Sequence, residues 1–177
     1  MGGIAIYYRS SYATSIEHLT KHSNAFICSI KIRPSIPTDP PTVISAVYCP
    51  TTNHQELSTD FFNQLNDLTS SLPPNTIHVT LGDFNSHIGS FSGDKLPNGM
   101  PRNNTNGNRL LDHCYLHNLL NLNTAFKHTF GVPTMINRKP PYGSSIIDFA
   151  LLPHQHSDIV SHFKLTNQFL SLVAHNV

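Results

Sequence analysis

Four prolines, Pro34, Pro37, Pro40 and Pro41, divide two runs of β-branched and aromatic residues at 26–32 and 43–48. Proline fixes its own φ and has no N–H to give a ladder, so this stretch cannot continue a central strand. It is too short for a domain linker and reads as the connection of an antiparallel hairpin. Runs of the same character at 3–8, 77–81, 119–123 and 146–152 predict further strands. Two stretches carry a helical period instead. Over 58–71, Leu57, Phe61, Leu65, Leu68 and Leu72 recur at three- and four-residue spacings until Pro73 and Pro74 stop the helix. Over 108–118, Leu110, Leu111, Cys114 and Tyr115 share a side, with Asn106 or Asn108 as the cap. The Gly- and Asn-rich residues 89–107 read as a surface loop, and no internal repeat is present. Strands interleaved with helices and a Pro-rich hairpin predict an α/β or α+β sandwich with a mixed sheet.

At 177 residues the chain fits one domain, residues 1–177, with room for a sizeable core, although only 38% of its residues are apolar. Eleven Lys and Arg against ten Asp and Glu leave a net charge of +1, so no global field favours nucleic acid or membrane and any polyanion site must be local. Cys28, Cys49 and Cys114 stand apart with no C-x-x-C pair, which favours a reducing compartment with Cys as a small hydrophobe. The start has no basic n-region or long h-region, so a signal peptide is not expected. Ile6 stands where a myristoylation motif wants Ser or Thr. No apolar run approaches the roughly 20 residues that span a bilayer. The expectation is an intracellular protein without a membrane segment.

The residues that bear on chemistry centre on the apolar strand at 77–81, which runs into Gly82-Asp83-Phe84-Asn85. Residues two apart on an extended strand end project to the same side, which would set a carboxylate and a carboxamide at one mouth. A hard cation takes carboxylate and water oxygens, and an amide can hold a phosphate or orient a water. The bland alternative, an Asx turn after a strand, fits the same residues.

Gly82-Asp83-Phe84-Asn85-Ser86-His87 resembles the Gly-Asp-Phe-Asn-Ala-His signature of the endonuclease/exonuclease/phosphatase superfamily, the deoxyribonuclease-I-like enzymes, and among them the endonucleases of non-LTR retrotransposons. Residues 43–50, ending in Tyr48, Cys49 and Pro50, are similar to the preceding strand of those enzymes. Thr129-Phe130, Pro133-Thr134 and the run from Ser144 and Ser145 through Ile146 and Ile147 to Asp148 and Phe149 resemble the later series. Gly2-Gly3 and the helix and strand at 109–124 match in order. The resemblance implies a deoxyribonuclease-I-like sandwich of mixed, mostly antiparallel sheets flanked by helices, incomplete at its N-terminus. It implies Mg²⁺ or Mn²⁺ on Asp83, with Asp83 aligning water and Asn85 and Tyr48 holding the phosphate. Ser145 is implied at the substrate, and Asp148 as the group orienting a catalytic His175. The implied substrate is DNA, and the implied partner a reverse transcriptase domain in full-length relatives.

Departures from the pattern bear on activity. The family's Asn and metal-binding Glu precede the Gly-Gly strand with which this chain opens, and neither Glu17 nor Glu56 lies in a replacing motif. Ala174 stands for the Asp before His175, Met135 for a Trp, and Ile146 where an Arg is common. A degenerate or inactive nuclease is therefore expected, the alternative being a non-catalytic remnant or a nucleic-acid-binding module that retains the fold only. The Ser157-Asp158 pair is a second candidate for the terminal motif, with no His directly after it. His113 and His117, four apart, share a helix face. The expectation there is solvated histidines rather than zinc, and His154, His156 and His162 are read the same way. Arg102, Arg109, Lys127, Arg138 and Lys139 could form a weak phosphate-contacting rim or a solvated surface.

Overall fold

A computed structural model of the chain describes residues 4–92, 102–126, 134–137, 143–165 and 170–173. Its centre is a six-stranded sheet built from β1 (Ile16–His18), β2 (Ile27–Ile32), β3 (Thr42–Tyr48), β4 (Ile77–Asp83), β5 (Leu119–Asn121) and β8 (Asp148–Pro153). The order across the sheet is β1-β2-β3-β4-β8-β5. Only β3 and β4 run parallel in it; the other neighbours are antiparallel. Two small antiparallel pairs accompany it, β6 (Met135–Asn137) with β7 (Gly143–Ser145) and β9 (His162–Leu165) with β10 (Leu170–Val173). This is the mixed, mostly antiparallel architecture expected.

The proline segment behaves as the sequence predicts. The β2 and β3 ladder closes at Ile32 opposite Thr42, and the prolines occupy the connection. Parallel β3 and β4 cannot be joined by a tight turn and need a crossover. Helix α1 (Gln55–Ser71) provides it, burying Ser58, Phe61, Phe62, Leu65 and Leu68 against the sheet, while Leu57 at its start stays half-exposed. With Leu110 of α3 (Thr105–Leu116) these side chains join Ile27, Val47, Phe84, Phe149 and Leu151 in one core. On the opposite face Ile77, Val79, Ala150 and Leu152 pack with Leu122, Val160 and Phe163. Burying a large apolar side chain is worth about 1.5–3 kcal/mol, so α1 is held by its stripe more than by propensity.

Several elements differ from expectation. Residues 4–8 form no strand, and Tyr7 is 94% exposed; β propensity produces a strand only where a neighbour takes up its hydrogen bonds. The strand at 119–123 stops at Asn121, whose Oδ1 accepts from the Asn123 N–H and opens the short helix α4 (Leu122–Ala125). Ile146 and Ile147 precede β8. Within 89–107, α2 (Gly89–Ser92) and the start of α3 replace loop. The cap of α3 is Asn104, not Asn106 or Asn108: its Oδ1 accepts from the Gly107 N–H at 2.7 Å.

Candidate active site

Three of the residues singled out in the sequence lie in one row. Register places Tyr48 of β3 opposite Asp83 of β4, and Asp83 opposite Asp148 of β8. Opposed residues share a sheet face, and since Val47, Phe84 and Phe149 belong to the core under α1, the row points to the other face. The Phe84 N–H donates to the Ile147 carbonyl at 2.9 Å. Hydrogen-bonded and non-hydrogen-bonded pairs alternate along an antiparallel ladder, so Asp83 and Asp148 form the non-hydrogen-bonded pair, with Cα atoms about 4.5 Å apart and side chains at their closest. Two carboxylates therefore stand side by side at the end of the central strand.

Glycine is required just before the first of them. Gly82 has φ +147°, and a Cβ there would meet the Val47 carbonyl oxygen at 2.0 Å. Phe84, fully buried, packs edge-on to Phe61 and Phe149 at ring separations of 6.2 Å on either side and anchors the turn that follows. The strand ends at Asp83, and Asn85 adopts a left-handed φ of 45°. Its N–H donates to the Asp83 carboxylate at 2.8 Å, so the Asx turn forms and the extended-strand picture does not hold beyond Asp83. The Asn85 Nδ2 donates to the Cys49 carbonyl at 2.7 Å, which aims the carboxamide back toward the exit of β3. Tyr48 stays 46% exposed there.

Burial pushes the Asp83 carboxyl up to about 6, with the Asn85 N–H opposing and the charge of Asp148 adding to the rise. Asp148 is also raised by burial, against a hydrogen bond from the Thr134 hydroxyl. The backbone of Asp148 is fixed from two sides. Thr134 Oγ1 accepts its N–H at 3.1 Å and that of Ile147 at 3.0 Å, and Asn123 Nδ2 donates to its carbonyl at 2.9 Å. Asn123 also accepts the Ala150 N–H at 3.1 Å, so its carboxamide continues β5 as a strand partner of β8. Sequence reasoning assigned no role to Thr134 or Asn123; the signals available were Pro133-Thr134 in the motif series and an Asx residue just past a strand.

Among the described residues no cluster of three or more His, Cys, Asp or Glu side chains is placed to hold a metal ion. The adjacent, mutually repelling carboxylates do suit a hard divalent cation, which takes oxygen ligands and relieves that repulsion. Ser145 ends β7, opposite Met135. His175 and Ala174 lie outside the described residues, as do Gly2, Gly3, Lys127, Thr129, Phe130, Pro133, Arg138 and Lys139. Arg102 is exposed, but Arg109 donates to Ser58 Oγ at 2.9 Å and Thr59 Oγ1 at 2.6 Å and is not a free rim cation. Glu17 and Glu56 are exposed, and Glu17 meets Arg33 at 3.6 Å. Asp158 is exposed as well.

The histidine face of α3 is covered at His113 and partly covered at His117. His113 is fully buried, its Nδ1 2.6 Å from Asn66 Oδ1 on α1, and His117 Nε2 reaches the same oxygen at 3.1 Å. A cavity of about 170 Å³ opens nearby, lined by His78, His117 and His154 among others. It sits at the start of β4, the far end of the strand from Asp83. The cysteines remain free, and burial pushes Cys49 and Cys114 up to about 12, as small buried hydrophobes.

The mixed, mostly antiparallel sheet with its helices is the deoxyribonuclease-I-like class of fold. The chain belongs to the endonuclease-reverse transcriptase family, whose sequence model matches residues 42–171. No curated protein matches it. Among solved structures it is similar to the endonuclease domain of TRAS1, a telomere-specific non-LTR retrotransposon, with a TM-score of 0.67 and 15% identity over 88% of this chain and 63% of that one. It is also similar to the 3'-5' exonuclease NExo from Neisseria meningitidis, at TM-score 0.62 and 12% identity over 86% of this chain and 63% of that one. A structure of the 3' phosphatase NExo from Neisseria bound to a product DNA hairpin gives 0.59 and 12% over the same shares. This chain thus spans less than two thirds of the length of each. Among the described residues no helix is long and apolar enough to cross a membrane.

Proposed function

We propose that the chain is a divalent-metal-dependent phosphodiester hydrolase of retrotransposon type, acting on DNA, with residues 1–177 forming one domain that accompanies a reverse transcriptase in longer relatives. The observation that carries this reading is the Tyr48, Asp83 and Asp148 row across three adjacent strands, with Asn85 on the turn beside it. Asp83, at the end of the central strand beside Asp148, aligns an attacking water. Tyr48 donates its hydroxyl, and Asn85 its remaining N–H, to the phosphate oxygens. By resemblance to the family, Asp148 takes the role of orienting His175, which lies outside the described residues, and Ser145 a role at the substrate. Asp83, with water, would hold a divalent ion such as Mg²⁺ or Mn²⁺, which when bound would supply charge neutralisation at the phosphate and the leaving oxygen.

Since no cluster of three or more His, Cys, Asp or Glu is placed to hold an ion among the described residues, weak metal retention and low activity are part of this proposal. That same observation favours a second reading, a degenerate fold that binds nucleic acid without cutting it. Nicking of supercoiled plasmid by the 177-residue protein, with and without Mg²⁺ or Mn²⁺ and beside an Asp83→Ala control, separates the two. Nicking that requires both the ion and Asp83 supports the hydrolase. A folded, soluble protein that leaves the plasmid intact at saturating metal overturns it in favour of the second reading.

A further inference from the structure

The exits of β3 and β4 carry the candidate site, yet the main-chain ladder between them ends as they reach it. Beyond Tyr48 and Asp83 the Cys49 N–H donates to the Asp83 carbonyl at 2.7 Å. Carboxamides take over from there. Asn85 Nδ2 bonds the Cys49 carbonyl at 2.7 Å, and Asn106 Nδ2 bonds the Pro50 carbonyl at 2.9 Å and the Asn85 carbonyl at 3.4 Å, with Cys49 Sγ at 3.5 Å. Asn106 is fully buried. Its Oδ1 accepts from the Ser58 hydroxyl, and Ser58 Oγ in turn accepts from Arg109 Nη1 at 2.9 Å. The amide thus has both ends occupied, donors toward the two strand exits and acceptor toward α1.

We propose that Asn106 is a positioning residue for the site, a carboxamide that fixes the separation between the Tyr48–Cys49–Pro50 exit of β3 and the Asp83–Phe84–Asn85 exit of β4. This rests on the phosphodiesterase reading above. Asn106 has no access to substrate and acts only through the two exits. Its chemistry is specific: an apolar side chain takes the amide donor from the Pro50 carbonyl and leaves the Ser58 hydroxyl proton without its Asn106 acceptor in the interior, and a carboxylate turns acceptors toward carbonyl oxygens. Arg109 belongs to the same device, holding Ser58 in place rather than contacting phosphate.

The test compares Asn106→Ala and the milder Ser58→Ala with Val160→Ala, a core truncation on the opposite face, matched by their loss in Tm. Two readouts are taken: steady-state cleavage of a DNA duplex in Mn²⁺, and NMR hydrogen exchange of the Cys49 and Asn85 backbone amides. We expect Asn106→Ala to lower kcat by about 10- to 100-fold with KM unchanged, as for a misplacement near 1 Å. The Cys49 and Asn85 amides should exchange faster, while that of Ile30 is unaffected, and Val160→Ala should move neither readout. Cys49 and Asn85 amides that exchange as in the parent protein, in Asn106→Ala or, if that variant does not fold, in Ser58→Ala, overturn the proposal. Because amide exchange needs no turnover, it decides the matter even where the parent fails to cleave DNA, an outcome that would refute only the hydrolase reading.

Discussion

In the folded protein Asp83 ionises against burial and against the neighbouring charge of Asp148, which together carry its carboxyl from 3.8 to about 6. Both penalties vanish on unfolding. A group whose pKa is raised by folding contributes stability that is fully present below the unfolded value and lost as pH rises through the folded one, here between 3.8 and about 6. The rise corresponds to about 3 kcal/mol at roughly 1.4 kcal/mol per pH unit. Since the side chain is only partly buried, solvent screening reduces this to about 1–2 kcal/mol. Asp83→Asn removes the charge and keeps the acceptor that the Asn85 N–H uses at 2.8 Å. In urea unfolding the variant should be more stable than the parent by about 1–2 kcal/mol at pH 8, equivalent to a Tm higher by about 2–8 °C, and nearly equal to it at pH 4. A variant less stable at pH 8, or one with the same gain at both pH values, would refute the reasoning.

Tyr48→Phe should lower nicking by about 10- to 100-fold with Tm unchanged, because the lost hydroxyl belongs to a half-exposed ring. Gly82→Ala should cost on the order of 3 kcal/mol by urea unfolding, from a Cβ driven into the Val47 carbonyl at a φ of +147°. Burial holds His78 down at about 4 and His113 at about 3, so their contribution is complete above 6.5 and lost as pH falls toward those values. Unfolding midpoints should therefore drop between pH 7.5 and 5, and His78→Asn should flatten that decline. Mg²⁺ should raise the Tm at pH 8 and not in Asp83→Asn, as read by differential scanning calorimetry.

The local grammar of the chain was legible, and its tertiary register was not. The proline segment required a hairpin whatever lay beyond it, and the leucine stripe of α1 had a period only a helix explains. The motif residues Tyr48, Asp83 and Asp148 were each found, but that they form one row depends on how β8 docks against β4 from 65 residues away. Periodicity carries no such information. The same-side projection expected of Asp83 and Asn85 does not occur by an extended strand: the chain leaves the strand at Asp83, and an Asx turn brings the amide back toward the Cys49 carbonyl. The shared face of His113 and His117 was readable too, yet whether another helix covers it was settled by Asn66 on α1. Thr134, Asn123, Asn104 and Asn106 act through carbonyls and amides of distant segments, a kind of partnership that leaves little trace in spacing. Three-residue β1 is likewise too short to show alternation.

The turn that starts α3 also gives the chain a chemical clock. A Cβ at position 107 would meet the His87 carbonyl oxygen at 2.1 Å, so the fold obliges glycine to follow Asn106. Asparagine is a thermolabile residue, and an unhindered glycine amide after it leaves the side-chain carbonyl open to attack and deamidation. In the native turn that amide is engaged with Asn104 Oδ1 and the carboxamide is buried. Each excursion that frays the turn exposes the pair, and a deamidated Asn106 returns as a carboxylate facing carbonyl oxygens. The residue that ties the strand exits together thus also sets a shelf life for this site, since repeated heat unfolding exposes the Asn106-Gly107 pair and erodes reversibility there.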